Sequence, residues 1–437
     1  MADAILETLR GVVGPANLLT DVELSPYVVD GRTPKAAVFP GSIDEVSAVL
    51  ALANDASIPV TPWGGGTGVG VGAPAARAGL VLGLRRLDRL IEHEPGDLTA
   101  TVEAGATMQT LQAALATRGQ WLSLDPPDAD VATVGGVLSA NAAGPRRHLY
   151  GTARDLLLGL TVVCADGAIV HGGGKVVKNV AGYDLPKLFV GAFGSLGVIV
   201  EATVKLRPTP DAEILVAVRF GSLKDCGLAA RAVSASDLLP SALDLVDGEA
   251  AAALGLDGDR PALVAGFDGL AEQVRWQRAE FARLCEAAGG GEVRDLPAAT
   301  WGVLPTAARR ALAEPAAVMR FSVLPARVAE VAERAGATAR DAGLRAAFSA
   351  HAGVGAIVGA LAGPRDAAEA VAAALRDWRE AAHAGGGHAI LEAAALAVKA
   401  LMPVWDQPGA ALRIMQRIKR QLDPKGILNA GRFVGGM

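Results

Sequence analysis

Cysteine is scarce: three in 437 residues, at positions 164, 226 and 285, with no Cys-x-x-Cys among them. That argues against a disulfide framework, a zinc site of the usual spacing and the four thiolates of an iron–sulfur cluster. Each is read as a buried structural thiol. An excess of positive charge is lacking too. The 41 basic and 46 acidic residues leave a net charge of -5, which gives no electrostatic reason to expect nucleic acid. No uninterrupted apolar run reaches the ~18 residues of a membrane span; the best late candidate, 393–405, is cut by Lys399 and Pro403. The opening MADAILETLRGVVG has neither a basic start nor a continuous apolar segment, so no export signal is read and a cytoplasmic protein is expected.

Glycine is what the chain has in abundance, and it is concentrated. In PVTPWGGGTGVGVG, residues 59–72, a short apolar strand breaks into glycines at 64, 65, 66, 68, 70 and 72, with Thr67 the only polar side chain among them. Bare backbone of this kind turns N–H groups towards an anion, and a phosphate or pyrophosphate is the simplest ligand. A Walker loop fails because no Lys lies between Pro59 and Gly83. A Rossmann turn is met only as Gly68-x-Gly70-x-x-Ala73, followed by Pro74 where a helix should start. A flavin loop and a flexible turn remain.

Around this loop the pattern is β-α-β. A strand at 36–39 leads to Ser42-x-x-Glu45, a capping box opening a helix to about Asn54 with Val46, Val49, Leu50 and Ala53 on its apolar face. A helix over 107–117 follows, then a second stretch of small residues, DPPDADVATVGGVLSANAAGP at 125–145. Gly135, Gly136, Ser139, Asn141 and Gly144 there allow close approach of a flat ligand, or equally tight helix packing. A hairpin around 165–167 and an alternating strand at 198–206 close the first domain at Pro208 and Pro210. Between 213 and 392 strands and helices recur as two β-α-β-β-α-β units, which predicts an antiparallel sheet covered by helices. The tail after Pro408 is a helix ending at Asp423-Pro424, with a glycine turn and Asn429, expected to fold back onto the first domain.

The ordered set PVTPWGGGTG, TVGGVLSANAAG, GSLGVI and DPKGILNAGR resembles the vanillyl-alcohol-oxidase-like flavoproteins with a PCMH-type FAD-binding domain. The resemblance implies an α+β fold: a PCMH-type FAD-binding domain of two α/β subdomains at 1–210, an antiparallel-sheet cap domain with ferredoxin-like repeats at 211–395, and a C-terminal segment, 396–437, returning to the FAD-binding domain. It implies FAD contacts at Pro62, Trp63, Gly64, Gly65, Gly66, Thr67 and Gly68, at Thr133, Gly135, Gly136, Ser139, Asn141, Gly144, Tyr150 and Gly151, and at Gly197, Val198, Ile199 and Asn429. Covalent members tether FAD through a His or Cys near these segments. Here none is placed for it, so FAD is expected to be non-covalent, with His148 a phosphate neighbour or surface residue.

LYGTARDLLLG at 149–159 and GGGKVVKNVAGYDLPKLFVGAFGSLGV at 172–198 are most similar to the E-type FAD-binding subunits of bacterial glycolate oxidases. These stand beside a paralogous, D-type flavin subunit and an iron–sulfur subunit, so the resemblance implies a 2-hydroxyacid substrate, an iron–sulfur partner and membrane contact only peripherally, through partners. Related D-2-hydroxyacid dehydrogenases carry His-x-Gly-Asp-Gly-Asn-x-His and a Glu-His pair for a metal and a base. The equivalent here, His351-Ala-Gly353-Val-Gly355-Ala-Ile-Val, has apolar residues at the Asp, Asn and second His positions, and Glu392 precedes Ala393. No metal is expected. Arg320, in VMRFSVLP, is read as a carboxylate-binding cation or a structural ion pair, and His351 and Glu392 as residues that still line a cleft. The alternative to a catalytic chain is a structural or electron-relay subunit whose chemistry lies on the paralogous flavin subunit.

Overall fold

The Ser42 hydroxyl accepts the Glu45 N–H at 3.1 Å and opens helix Ile43–Asp55, while the Glu45 carboxylate reaches back to the Gly41 N–H at 2.7 Å. The predicted capping box is therefore present with its return bond displaced by one residue. In the computed structural model, which describes residues 2–175 and 183–437, this helix buries Val46, Val49, Leu50 and Ala53, the face its periodicity predicts. The KVVKNVAGYDL motif falls largely on 176–182, outside the described residues.

The helix links two strands of a four-stranded sheet. Strands β1 (Leu18–Leu19), β2 (Ala36–Val38), β3 (Val60–Trp63) and β4 (Leu80–Gly83) stand in the order β1-β2-β4-β3, with β4 parallel to both β2 and β3. Residues 64–79 reach β4 without a helix, in keeping with the failed Rossmann spacing. A second sheet is antiparallel, in the order β5-β6-β10-β8-β9, from β5 (Leu90–Glu94), β6 (Thr99–Glu103), β8 (Leu157–Val163), β9 (Ile169–Gly173) and β10 (Val198–Lys205). A two-stranded ribbon pairs β7 (Gln120–Trp121) with β11 (Arg207–Pro208). Helix Met108–Ala116 is capped by Thr107, and helix Val134–Ala140 by Thr133. Residues up to Ala142, Thr152–Thr209 and Gln407–Met437 together make this first unit.

The second unit comprises Ala143–Gly151 and Pro210–Asp406. Its eight-stranded sheet runs β15-β12-β14-β13-β17-β18-β16-β19, and every pair is antiparallel. The strands are β12 (Ala212–Arg219), β13 (Ala242–Val246), β14 (Ala262–Gly269), β15 (Arg294–Leu296), β16 (Ala317–Ser322), β17 (Arg345–His351), β18 (Ala356–Ala362) and β19 (His388–Ala394). The order is symmetric about the β13–β17 pair, so the two repeats read in the sequence join edge to edge into one sheet. Helices Leu223–Ser234 and Ala271–Ala287 belong to one repeat, and Val328–Asp341 and Ala368–Ala384 to the other.

One face of this sheet carries Met319, Phe321, Phe348, Leu391, Leu243 and Leu245 into the core under those helices. Trp378 anchors it, fully buried between Phe321 and Phe348, with its indole N–H donated to the Ala335 carbonyl at 2.8 Å. Strand alternation sends the neighbouring side chains, among them Asp244, Arg320 and His351, to the opposite face.

Candidate functional site

In the first unit the glycine loop is built by close approach. A Cβ on Gly64 would overlap the Thr133 hydroxyl; one on Gly65 would lie 2.7 Å from the Val131 carbonyl carbon and closer still to its oxygen; Gly66 sits at φ 80. The loop is thus pressed against the start of helix Val134–Ala140, and the two small-residue stretches of the sequence adjoin each other. Among the described residues, the N–H groups of Gly64 to Gly68 donate to no protein acceptor, whereas Val69 and Val71 turn back to Gly66 and Gly68. Five consecutive unengaged donors in a bent backbone are a nest for an oxyanion.

The tail completes this region. Val60 donates to Ile427 at 2.8 Å and Asn429 to Val60 at 2.9 Å, so residues 427–429 run alongside β3 as an added strand. Arg432 pairs with Asp30 and donates to the Val69 carbonyl, and its own carbonyl accepts the Ala73 N–H at 2.9 Å. Asn429, at φ 45, gives its amide to Phe193 O, and its Oδ1 is buried with no hydrogen-bond partner. Beneath it Lys419 Nζ reaches Ser195 O at 2.7 Å, Asp423 Oδ2 at 2.6 Å and Leu428 O at 2.9 Å.

The other cofactor candidates occupy varied positions. Trp63 ends β3 with its ring edge-on to Tyr27, and Pro62 packs 3.1 Å from where a Gly194 Cβ would stand. Gly135 lies against Ala104 and donates to its carbonyl at 2.8 Å, which is the helix-packing role left open above. Ser139 accepts the Phe193 N–H through its carbonyl, and Asn141 caps its helix in the left-handed region, φ 48. Gly197, Val198 and Ile199 are packed inside the second sheet, so they offer a ligand backbone rather than side chains. Gly144, Tyr150 and Gly151 belong to the excursion that clusters with the second unit, where the Tyr150 hydroxyl donates to Asp268 at 2.6 Å.

In the second unit Arg320 and Glu392 are partners of each other in an ion pair. His351 Nδ1 is bonded to Asp244 Oδ1, leaving Asp244 Oδ2 buried without a partner. An Asp on Nδ1 fixes an imidazole's orientation and leaves Nε2 as the exchangeable nitrogen. Among the described residues no three His, Cys, Asp or Glu side chains converge on a cation site.

His148 is not a plain surface residue: it is half-buried against Gly353 in the second unit. His93, His171 and His388 lie on strands β5, β9 and β19, and His93 is bonded to Gln120 at 2.9 Å. The cysteines are all buried and unpaired.

Sequence reasoning passed over Asp244 and the cluster of Glu213, Asp268 and Trp301 around buried Arg146. Asp244 alone had a visible signal, an acid inside the otherwise apolar strand ALDLV.

Family comparison supplies the frame for these observations. Residues 34–173 match a family described as FAD binding domain, and residues 209–433 match FAD linked oxidases, C-terminal domain. The chain belongs to the FAD-linked oxidases. Its relatives include the glycolate oxidase subunit GlcD of Bacillus subtilis, 34% identical over 49% of this chain and 46% of that protein. A D-lactate dehydrogenase of Archaeoglobus fulgidus is 38% identical over 56% of this chain and 55% of its own length. A D-2-hydroxyglutarate dehydrogenase of Stutzerimonas stutzeri is 33% identical over 47% and 46%. The matches thus span about half the length of these curated relatives. A p-cresol methylhydroxylase solved with substrate bound shares the fold, with TM-score 0.79 at 19% identity over 98% of this chain and 96% of that one.

The cofactor of this FAD-linked oxidase is FAD, and the residues present fit it. The unengaged N–H groups from Gly64 to Gly68 suit a pyrophosphate, and the unpartnered Asn429 Oδ1 is an acceptor left for a polar ligand group. No helix among the described residues is long and apolar enough to cross a membrane.

Proposed function

We propose that the chain is the E-type FAD-binding subunit of a glycolate-oxidising complex, converting a 2-hydroxyacid to its 2-oxoacid and passing electrons to an iron–sulfur partner. In this reading FAD is held non-covalently through 62–68, the region of 133–141, 197–199 and Asn429, and the polar groups of the reaction are His351, Asp244, Arg320 and Glu392. FAD, when bound, would supply the hydride acceptor for the substrate α-carbon. His351, oriented by Asp244, takes the hydroxyl proton at Nε2, and Arg320 meets the substrate carboxylate once Glu392 yields. The observation that carries the reading is the His351–Asp244 pair on the sheet face opposite the four covering helices, in a family whose matched relatives are named for glycolate, D-lactate and D-2-hydroxyglutarate.

The Arg320–Glu392 pair favours a second reading, because it neutralises the cation that this reading offers to a carboxylate. The chain is then a relay or structural subunit beside a paralogous flavin subunit. Either version is cytoplasmic, reaching the inner face of the membrane through partners. Dye-linked turnover of glycolate and D-lactate by the purified chain separates the two. Turnover abolished by His351→Gln supports the catalytic version; no turnover by the native chain alone, with turnover restored by the partner subunits, supports the relay. Acid precipitation tests non-covalent binding, with FAD expected in the supernatant.

A further inference from the structure

Residues 143–151 leave the first unit's run of sequence and pack within the second. Arg146 holds them there: its guanidinium stacks 3.8 Å from the Trp301 ring centre and pairs with Glu213 at 2.6 Å and Asp268 at 3.3 Å, while Tyr150 donates to the other Asp268 oxygen. The helical turn Arg147–Tyr150 lies beside β13, the strand of Asp244. This places the His148 ring on Gly353, where any Cβ would overlap Cε1 and Nδ1. His148 Nδ1 and Asp244 Oδ2 are both buried without a hydrogen-bond partner, and Asp244 is only 1% exposed.

We propose that His148 is the third member of the acid–base site, an imidazole beside the Asp244–His351 pair whose protonation and that of His351 oppose each other. The proposal rests on the reading of His351 as the base. Two imidazoles around one buried carboxylate repel when both are charged, so protonating one opposes the other. Burial holds His148 below the usual imidazole range, the Asp244 charge opposes this, and His351 reinforces it. The charged groups that act on it are Asp244 on β13 and His351 on β17, and Arg146 and Arg147 flank it on its own segment.

In the oxidation, the substrate O–H bond breaks and an N–H bond forms at His351 Nε2, while the Cα–H pair leaves as hydride to the bound FAD. A His148 already protonated raises the cost of the imidazolium formed at His351. His148 therefore acts as a positioning residue that sets the acid limb of the pH profile.

The test is a ¹⁵N-histidine NMR titration of the full chain with FAD bound, the six histidines assigned by single variants. The His148 resonance is expected to titrate below ~6.5. Asp244→Asn should move it further down, and His351→Gln should move it up. Gly353→Ala, whose Cβ would overlap the ring of His148, should perturb the same resonance. A His148 that titrates at the free-imidazole value and responds to none of the three variants overturns the proposal. In kcat/KM for glycolate, His148→Gln should shift the acid limb; an unshifted limb also counts against it. A native chain and complex that oxidise no 2-hydroxyacid would sink the functional reading, and the NMR result would then show separately whether the cluster is coupled.

Discussion

Alanine at position 65 is the sharpest perturbation of the cofactor loop. Its methyl carbon would stand 2.7 Å from the Val131 carbonyl carbon, well inside van der Waals contact and with backbone rather than a rotatable side chain. Val131 has little freedom to withdraw. Its N–H and that of Ala132 donate to Asp128 at 3.0 and 2.7 Å, and the Ala132 carbonyl accepts the Met108 N–H at 2.9 Å. The loop must therefore move, and its row of N–H groups loses alignment with the pyrophosphate. One charge-assisted hydrogen bond lost is worth about 1.5–3 kcal/mol, which corresponds to a Kd for FAD raised about 10- to 150-fold. Calorimetric titration of FAD into cofactor-stripped protein measures it, with Gly96→Ala, whose Cβ meets nothing within 4 Å, as the control. Unchanged affinity in Gly65→Ala, at an unchanged melting temperature, would refute the placement of the pyrophosphate.

Lys419→Met should destabilise the first unit by about 3–5 kcal/mol in urea unfolding, since it strands the buried Asp423 carboxylate and two carbonyls; a loss below ~1 kcal/mol would mean the pair behaves as a surface one. Arg320→Gln should raise KM for glycolate more than it lowers kcat if the guanidinium meets the carboxylate, whereas a purely structural pair predicts a lower melting temperature with KM unchanged. Burial pushes the Cys226 thiol up strongly and the Cys285 thiol up to about 12, so neither should react with a thiol reagent at pH 8 in the folded protein. Rapid native-state labelling of either would contradict their place in the core.

The glycine loop was legible because bare backbone has few other uses at that density, and the repeats of the second unit because strand alternation and helical period are local signals. The helix faces at Val46, Val49, Leu50 and Ala53 followed from period alone. β15 escaped notice because RDL is three residues long and polar, its pairing supplied by β12. Asp244 and His351 are 107 residues apart, and nothing in either neighbourhood names the other. The surroundings of His148 were illegible for a related reason. Its environment depends on a nine-residue excursion whose buried anchor, Arg146, finds its partners on β12 and β14. Long-range pairing of charged side chains is set by topology, which periodicity does not encode.

The most direct measurement is an anaerobic absorbance spectrum of the purified chain before and after glycolate, with D-lactate as comparison and the partner subunits added last. The account predicts bound flavin that glycolate bleaches. Flavin that stays oxidised with both acids even after the partners are added, or a colourless protein that cannot be reconstituted with FAD, would contradict it.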